Sequence, residues 1–223
     1  MTLTWMDLLV IWLVPPLFCA FLFVLFSFGL YGAIVSPFSF LFKQDIEYKF
    51  AKKKRLRSGQ RLKWGYVYFL GLLLFDNGVQ ATFLYRLSRF FLTHHLRSLA
   101  LVCHSFSKFL THIDISPYAE IGPGLTFYHG MGVVIGKFTT IGSRVTICQG
   151  VTTGSGRPKI GDDVILWAGA KVLGNVTVGE ASEVAANAVV ISDVPANCVA
   201  LGVPAKRFLP KTKTKLSYQN DEL

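Results

Sequence analysis

The residues best suited to acid–base chemistry in this sequence are His129 and Asp114, which lie 15 residues apart. An imidazole accepts a proton near neutral pH, and a carboxylate bonded to one ring nitrogen fixes the tautomer that leaves the other nitrogen basic. Such a pair can remove the proton from a hydroxyl while the oxygen attacks a thioester. From the spacing alone, a surface histidine at a turn explains His129 equally well.

A repeat of six residues runs through this part of the chain. From Ile160 the sequence divides into six consecutive blocks, which read IGDDVI, LWAGAK, VLGNVT, VGEASE, VAANAV and VISDVP. The first position is always Ile, Leu or Val, and the fifth is always Val, Ala or Ser. A period of six fits neither an amphipathic helix nor an alternating strand, and it predicts a parallel β-helix. Three blocks then form one triangular turn of about 18 residues, so Asp114 and His129 can lie at one edge on neighbouring coils.

The same pattern begins at Ile115 and has two interruptions. The register jumps by two residues between Gly132 and Ile135. A second break, from Thr153 to Lys159, contains two glycines and a proline and predicts a loop that leaves the coil. His129 is the one histidine inside the repeat blocks. A zinc site, which needs several ligands of this kind, is therefore not predicted.

The N-terminal part has the composition of a membrane segment. Residues 8–42 contain no charged side chain, whereas about 20 apolar helical residues suffice to cross the hydrocarbon core. Prolines near both ends argue against one straight helix, so a spanning helix and a re-entrant hairpin both stay open. A basic stretch without acids follows from Lys49 to Lys63. The positive-inside rule predicts that this stretch is cytoplasmic and contacts anionic membrane lipid.

The net charge of +10 is concentrated in the first half of the chain. Residues 1–111 carry 13 Lys and Arg against four Asp and Glu, whereas residues 112–223 carry ten against nine. A nucleic-acid patch is the alternative explanation of the basic stretch, but its place beside a membrane segment accounts for it, and no nucleic-acid partner is predicted. The four cysteines form no C-x-x-C pair, which favours a reducing compartment over a disulfide framework.

Between the basic stretch and the repeat, apolar residues from Val79 to Leu110 recur at helical spacing, which predicts an amphipathic helical region. An apolar run at residues 66–75 is too short to cross a bilayer and ends at a turn signal. His94, His95 and His104 fall in the helical region. A polar helix face explains these histidines better than a metal site.

Several ordered motifs resemble those of the hexapeptide-repeat acetyltransferases. They are IDISPYAEIGPGLTFYHGMGVVIG, the loop ending GRPKIG, LWAGAKVLGNVTVG and LGVPAKR, and they span about residues 111–208. The chain is similar to serine acetyltransferases and to exopolysaccharide acetyltransferases of the colanic acid type. The resemblance implies a mainly β fold built on a left-handed parallel β-helix. It also implies a homotrimer with acetyl-CoA in a groove between adjacent subunits.

The resemblance assigns roles to individual residues. His129 matches the family's general base, and Asp114 matches the aspartate that orients this base in the serine enzymes. The positions that match main-chain contacts to CoA are Gly154, Ala168 and Ala186. Small residues there let the backbone approach a ligand. Lys206 and Arg207 end the coil where the family often has basic residues near the CoA phosphates.

One position departs from the serine enzymes. They carry a histidine before the proline of an H-P-K-I loop, where it helps to hold serine, and this chain has Arg157 there. A guanidinium can hold the carboxylate of an acceptor, but it can equally bind a sugar phosphate or pyrophosphate. The apolar segment at residues 8–42 also stands where the serine enzymes have a soluble helical domain. Both differences favour a membrane-associated acceptor over serine.

We therefore predict an acetyl-CoA-dependent O-acetyltransferase that modifies a hydroxyl of a membrane-associated acceptor, a sugar of a lipid-linked or surface glycan. Its catalytic domain would face the cytoplasm at the inner membrane. Serine O-acetyltransferase of cysteine biosynthesis is one alternative, and a noncatalytic trimeric scaffold is another. The predicted parts are a membrane-embedded segment (1–48), a basic interfacial and amphipathic helical region (49–110), the β-helix acetyltransferase domain (111–208) and a polar tail (209–223).

Overall fold

The computed structural model describes residues 40–49 and 75–210 of the chain. Most of the predicted membrane segment, the basic stretch beyond Lys49 and the tail after residue 210 lie outside these ranges. Within them, no helix combines the length and the apolar composition that crossing a bilayer requires. Residues 40–42, the last three of the predicted membrane segment, belong to a helix.

Helices precede the repeat. They are α1 (residues 40–49), α2 (Asn77–Thr93) and α3 (Arg97–Thr111). Asp76 caps the start of α2, because its side chain accepts a hydrogen bond from the backbone N–H of Val79. α3 ends at His112, whose left-handed backbone turns the chain into the first strand. The hydroxyl of Ser88 in α2 donates to the carbonyl of Ala100 in α3, which ties the two helices together.

The repeat folds into three faces of a prism. The first face contains β1 (Asp114–Ile115), β4 (Val134–Ile135), β7 (Thr152–Gly154), β10 (Lys171–Leu173) and β13 (Val189–Val190). The second contains β2 (Glu120–Ile121), β5 (Thr140–Ile141), β8 (Lys159–Ile160) and β11 (Thr177–Val178). The third contains β3 (Thr126–Tyr128), β6 (Thr146–Cys148), β9 (Ile165–Leu166), β12 (Glu183–Val184), β14 (Cys198–Gly202) and β15 (Ala205–Pro210). The pairings are parallel except that of β14 with β15, an antiparallel hairpin that closes the last coil.

The coil lengths follow the repeat. Asp114 pairs with Val134, 20 residues on, and Val134 pairs with Thr152, 18 residues on. The two additional residues lie between β3 and β4, where five residues join the strands, whereas three join β6 to β7. The predicted register jump is thus confirmed. The predicted loop over Thr153–Lys159 is wrong, because both ends of this segment pair in β7 and β8 and only four residues between them lie outside the strands.

Side chains from the first and fifth positions of each block fill the axis of the prism. From Ile160 onward, the first-position residues are at most 3% exposed, and they are Ile160, Leu166, Val172, Val178, Val184 and Val190. The fifth-position residues are at most 6% exposed, and they are Val164, Ala170, Val176, Ser182, Ala188 and Val194. Burying one large aliphatic side chain stabilises a fold by about 1.5–3 kcal/mol. The prediction of a mainly β, parallel β-helix is confirmed.

A buried ion pair joins the helices to the first coil. Arg86 of α2 donates two hydrogen bonds to the carboxylate of Asp45 in α1, at 3.0 and 3.1 Å. The same carboxylate accepts hydrogen bonds from the backbone N–H groups of Gly124 and Leu125, at 2.7 and 2.9 Å. Arg86 also donates to two backbone carbonyls of the first coil. Burial raises the pKa of Asp45, and the guanidinium and both backbone donors oppose that rise.

Replacing Asp45 with alanine should therefore destabilise the fold strongly, because Arg86 would keep its charge in a buried place without a counter-ion. We expect a loss of about 3–5 kcal/mol in the free energy of unfolding, measured by urea titration. Glu47→Ala on the same helix is the matched control, since Glu47 is exposed and pairs with Lys43 only at 3.8 Å. Its loss should stay below about 1 kcal/mol. Equal losses in the two variants would contradict the anchoring role of Asp45.

Candidate active site

His129 lies in the five-residue turn between β3 and β4, at an exposed corner of the prism. Its φ is 52°, and its carbonyl accepts a hydrogen bond from the N–H of Met131 at 2.6 Å. A left-handed backbone is uncommon for a residue with a side chain, and such positions cluster at functional sites. A Cβ on Gly130 would lie 2.5 Å from Cδ1 of Ile113. Glycine therefore lets this turn approach the core directly behind His129.

Asp114 lies at the same corner, but its carboxylate contacts α3. Its Oδ1 is 2.8 Å from Nε2 of His104, and its Oδ2 is 4.0 Å from Nζ of Lys108. The backbone N–H of Asp114 donates to the carbonyl of Val133, which belongs to the turn that carries His129. Within the described ranges, no hydrogen bond reaches the imidazole of His129. The orienting role of Asp114 stays a prediction.

The corner that carries His129 continues along the prism. Backbone hydrogen bonds connect successive coils there, from Gly150 to Met131, from Gly169 to Gln149 and from Asn187 to Ala168. We call this line of corners, which join the third face to the first, the His129 edge. Its members in the four coils are His129, Gln149, Ala168 and Ala186. The structure thus brings two of the predicted CoA contacts onto the edge of the predicted base.

Lys206 lies at the C-terminal end of the same edge. Val184 of β12 pairs with Ala200 of β14, so Gly202 stands above Ala186 in the next coil. Gly202 pairs with Ala205 across the hairpin turn, and Lys206 follows directly with an exposed side chain. A cation at this place is available to an anionic ligand that lies along the edge.

Gly154 and Arg157 lie on a different edge, where the first face joins the second. Gly174 donates a backbone hydrogen bond to Gly154, and the backbone N–H of Arg157 donates to Oδ1 of Asn175. We call this line of corners the Arg157 edge. The guanidinium of Arg157 stands over the ring of Phe138, with its central carbon 5.2 Å from the ring centroid. In one chain, the first face separates Arg157 from His129.

Sequence reasoning missed the contact between His104 and Asp114. The polar helix face predicted for His104 is in fact directed at the first strand, because His104 and Lys108 are one helical turn apart and both approach Asp114. His94, in contrast, contacts the carbonyl and ring of Phe90 within its own helix. In the described ranges, no group of three or more His, Cys, Asp or Glu side chains could hold a metal ion.

The thiol nearest to this cluster is not a nucleophile. Cys103 precedes His104 and faces the interior of the helical layer, where burial raises the pKa of its thiol to about 11. At neutral pH the thiol is therefore protonated and poorly reactive. Burial likewise raises the pKa of Tyr128, beside His129. Acid–base chemistry near neutral pH falls to the imidazoles.

Comparison with known proteins places the chain in a family. A family model described as bacterial transferase hexapeptide (six repeats) matches residues 157–192. A serine acetyltransferase of Helicobacter pylori is 39% identical over 169 residues, covering 73% of this chain and 95% of the relative. One of Bacillus subtilis is 37% identical over 190 residues, covering 81% and 83%. The chain belongs to the hexapeptide-repeat acetyltransferase family.

Solved structures agree with this assignment. The structure of a serine acetyltransferase in complex with CoA is 33% identical to this chain, with a TM-score of 0.66, and covers 77% of this chain and 69% of the neighbour. That of the Neisseria gonorrhoeae serine acetyltransferase in complex with serine is 30% identical, with a TM-score of 0.66, and covers 76% and 68%. The left-handed β-helix is confirmed, as is an acetyltransferase that uses acetyl-CoA.

Two of our predictions are corrected by these relatives. The membrane-associated glycan acceptor is wrong, because the relatives and structural neighbours are named serine acetyltransferases. The inner-membrane localisation, which rested on residues 8–42 and on that acceptor, falls with it. A noncatalytic scaffold is excluded by membership of an enzyme family. The composition of residues 8–42 outweighed the repeat motifs in our reasoning, although the motifs alone carry the chemistry.

Replacing Gly130 with alanine tests whether the turn positions His129. The new methyl group would meet Cδ1 of Ile113, so we expect the turn to shift outward and kcat to fall by about tenfold. Ile113→Val removes the clashing carbon. The double variant should recover most of the lost kcat, and the coupling is measured as a double-mutant cycle. Wild-type kcat in Gly130→Ala would show that the position of the turn does not matter.

Proposed function

We propose that the chain is a serine O-acetyltransferase, which transfers the acetyl group of acetyl-CoA to the hydroxyl of L-serine. The observation that carries the proposal is the identity of 39% to a serine acetyltransferase over 95% of that relative's length. The neighbour with bound serine and the neighbour with bound CoA support the same two substrates.

His129 is the general base in this proposal. Its imidazole removes the proton of the serine hydroxyl while the oxygen attacks the carbonyl carbon of the thioester. The tetrahedral intermediate then collapses, the carbon–sulfur bond breaks, and the CoA thiolate takes the proton from the imidazolium. O-Acetylserine and free CoA are the products. The exposed corner of His129 supports this role, because both substrates must reach one ring nitrogen.

The His129 edge is the proposed seat of acetyl-CoA. Ala168 and Ala186 offer backbone without large side chains, and Ala186 lies three coils, or about 14 Å, along the prism from His129. Lys206 at the end of the edge suits the CoA phosphates. An extended CoA molecule along the edge would then have its thioester at His129 and its phosphates at the C-terminal hairpin. Gly154 would contact CoA from the other edge.

Arg157 is the proposed partner of the serine carboxylate, in place of the histidine of the serine enzymes. About 15 Å of extended chain across the first face separate the Arg157 edge from the His129 edge. One chain therefore cannot bring both side chains to one serine molecule. This separation supports a homotrimer in which His129 of one copy and Arg157 of a neighbouring copy form each site.

Replacing His129 with alanine should lower kcat by about two to four decades, because the serine hydroxyl would lose its base. Turnover is followed by the release of the free CoA thiol, with L-serine as the acceptor. Binding of CoA, measured by calorimetry, should stay nearly unchanged. Turnover of His129→Ala at the wild-type rate would remove His129 from the mechanism, and a wild-type enzyme inactive on L-serine would refute the proposed acceptor.

Replacing Arg157 with methionine should raise the KM for L-serine by about tenfold or more, because a charge-assisted hydrogen bond to the carboxylate would be lost. The KM for acetyl-CoA should not change. Arg144→Met is the matched control, since Arg144 is also exposed but pairs with Asp163 at the corner between the second and third faces. Equal KM values for serine in the two variants would exclude Arg157 from the acceptor site.

A further inference from the structure

The carboxylate of Asp114 is bound by a side chain from outside the β-helix. We propose that His104 of α3 is a positioning residue, which holds this carboxylate at the His129 edge so that Asp114 can fix the tautomer of His129. The inference rests on the proposed function and on His129 as its base, and it adds a third residue to the predicted pair.

The geometry of the contact supports this role. Nε2 of His104 lies 2.8 Å from Oδ1 of Asp114, which is the distance of a strong hydrogen bond. The side chain of His104 is 17% exposed, whereas that of Asp114 is 41% exposed. Because the carboxylate can only accept, the hydrogen must be on Nε2 of His104. The better-buried partner therefore orients the more exposed one.

The place of Asp114 in the fold explains why it needs such support. β1 belongs to the first coil and pairs only with β4, so no further strand of the prism lies on its other side. α3 covers that side, and it presents His104 and Lys108 to the carboxylate. Without His104, the carboxylate could rotate into solvent, and the interaction with His129 would then cost the entropy of ordering it.

The backbone already places the two ends of the proposed relay together. The N–H of Asp114 donates to the carbonyl of Val133, and the N–H of Gly132 donates to the carbonyl of His112. The turn of His129 thus lies one backbone step from Asp114, and α3 ends two residues before it. A small change in the position of α3 would accordingly move Asp114 relative to His129.

Two substitutions of His104 separate positioning from packing. His104→Leu keeps the bulk and removes the donor, so we expect kcat to fall by about tenfold while both KM values stay unchanged. The amide of His104→Gln can donate to Oδ1 as Nε2 does, so this variant should recover kcat to within about threefold of wild type. His94→Leu is the matched control, because His94 contacts only its own helix, and it should keep the wild-type kcat.

The relation to Asp114 is tested by combining variants. Adding His104→Leu to Asp114→Asn should lower kcat no further than Asp114→Asn alone, because both changes break one chain of contacts. Additive losses would overturn the proposal, as would a wild-type kcat in His104→Leu. Equal losses in His104→Leu and His104→Gln would also overturn it, since they would indicate packing alone.

A second measurement needs no acceptor and therefore separates this inference from the proposed function. The 15N chemical shifts of the His129 ring distinguish its two neutral tautomers. We expect one tautomer in the wild type and in His104→Gln, and a mixture in His104→Leu and in Asp114→Asn. Identical tautomer populations in all four proteins would refute the positioning role. If L-serine is not the acceptor, wild-type turnover with serine fails while this test still decides.

Discussion

The aliphatic ladder along the axis of the prism is the interaction on which the other features depend. Six-residue blocks place two side chains inward per block, and the inward positions from Ile160 onward are almost fully buried. Burial of apolar surface is the main favourable term in folding, so this ladder forces the chain into flat sides and tight corners. The corners then become the only regular outward positions. His129, Ala168 and Ala186 are in line because the core has a period.

A β-helix has open ends, and in this chain the helices close the first one. The backbone groups and the edge of the first coil would otherwise be exposed to unwanted pairing. Asp45 and Arg86 bond to each other and to the backbone of that coil, and His104 contacts Asp114 at its first residue. The helical layer therefore does more than cover the coil. It contacts the residues on which the proposed chemistry depends.

The arrangement of the two edges has a consequence for catalysis. The His129 edge carries the proposed base and the small residues along the ligand path, whereas the Arg157 edge carries the proposed acceptor contact. Because a rigid prism cannot bend one edge towards another, the active site must be completed by a second copy. Assembly and catalysis are then one requirement, and the cation–π contact of Arg157 with Phe138 restrains the guanidinium before the copies meet.

The sequence by itself determined the β-helix, the inward ladder, the two-residue register jump and the candidates His129 and Asp114, because a strict period and a rare residue type are both visible without coordinates. It misjudged Thr153–Lys159, since glycine and proline signal a turn equally well inside a coil and in a loop outside it. It also overvalued residues 8–42 as a guide to the acceptor. Only the tertiary structure decided that Asp114 contacts His104 and that His129 and Arg157 lie on different edges. Such contacts depend on how a helix docks and on the angle between faces, and neither leaves a periodic signal in the sequence.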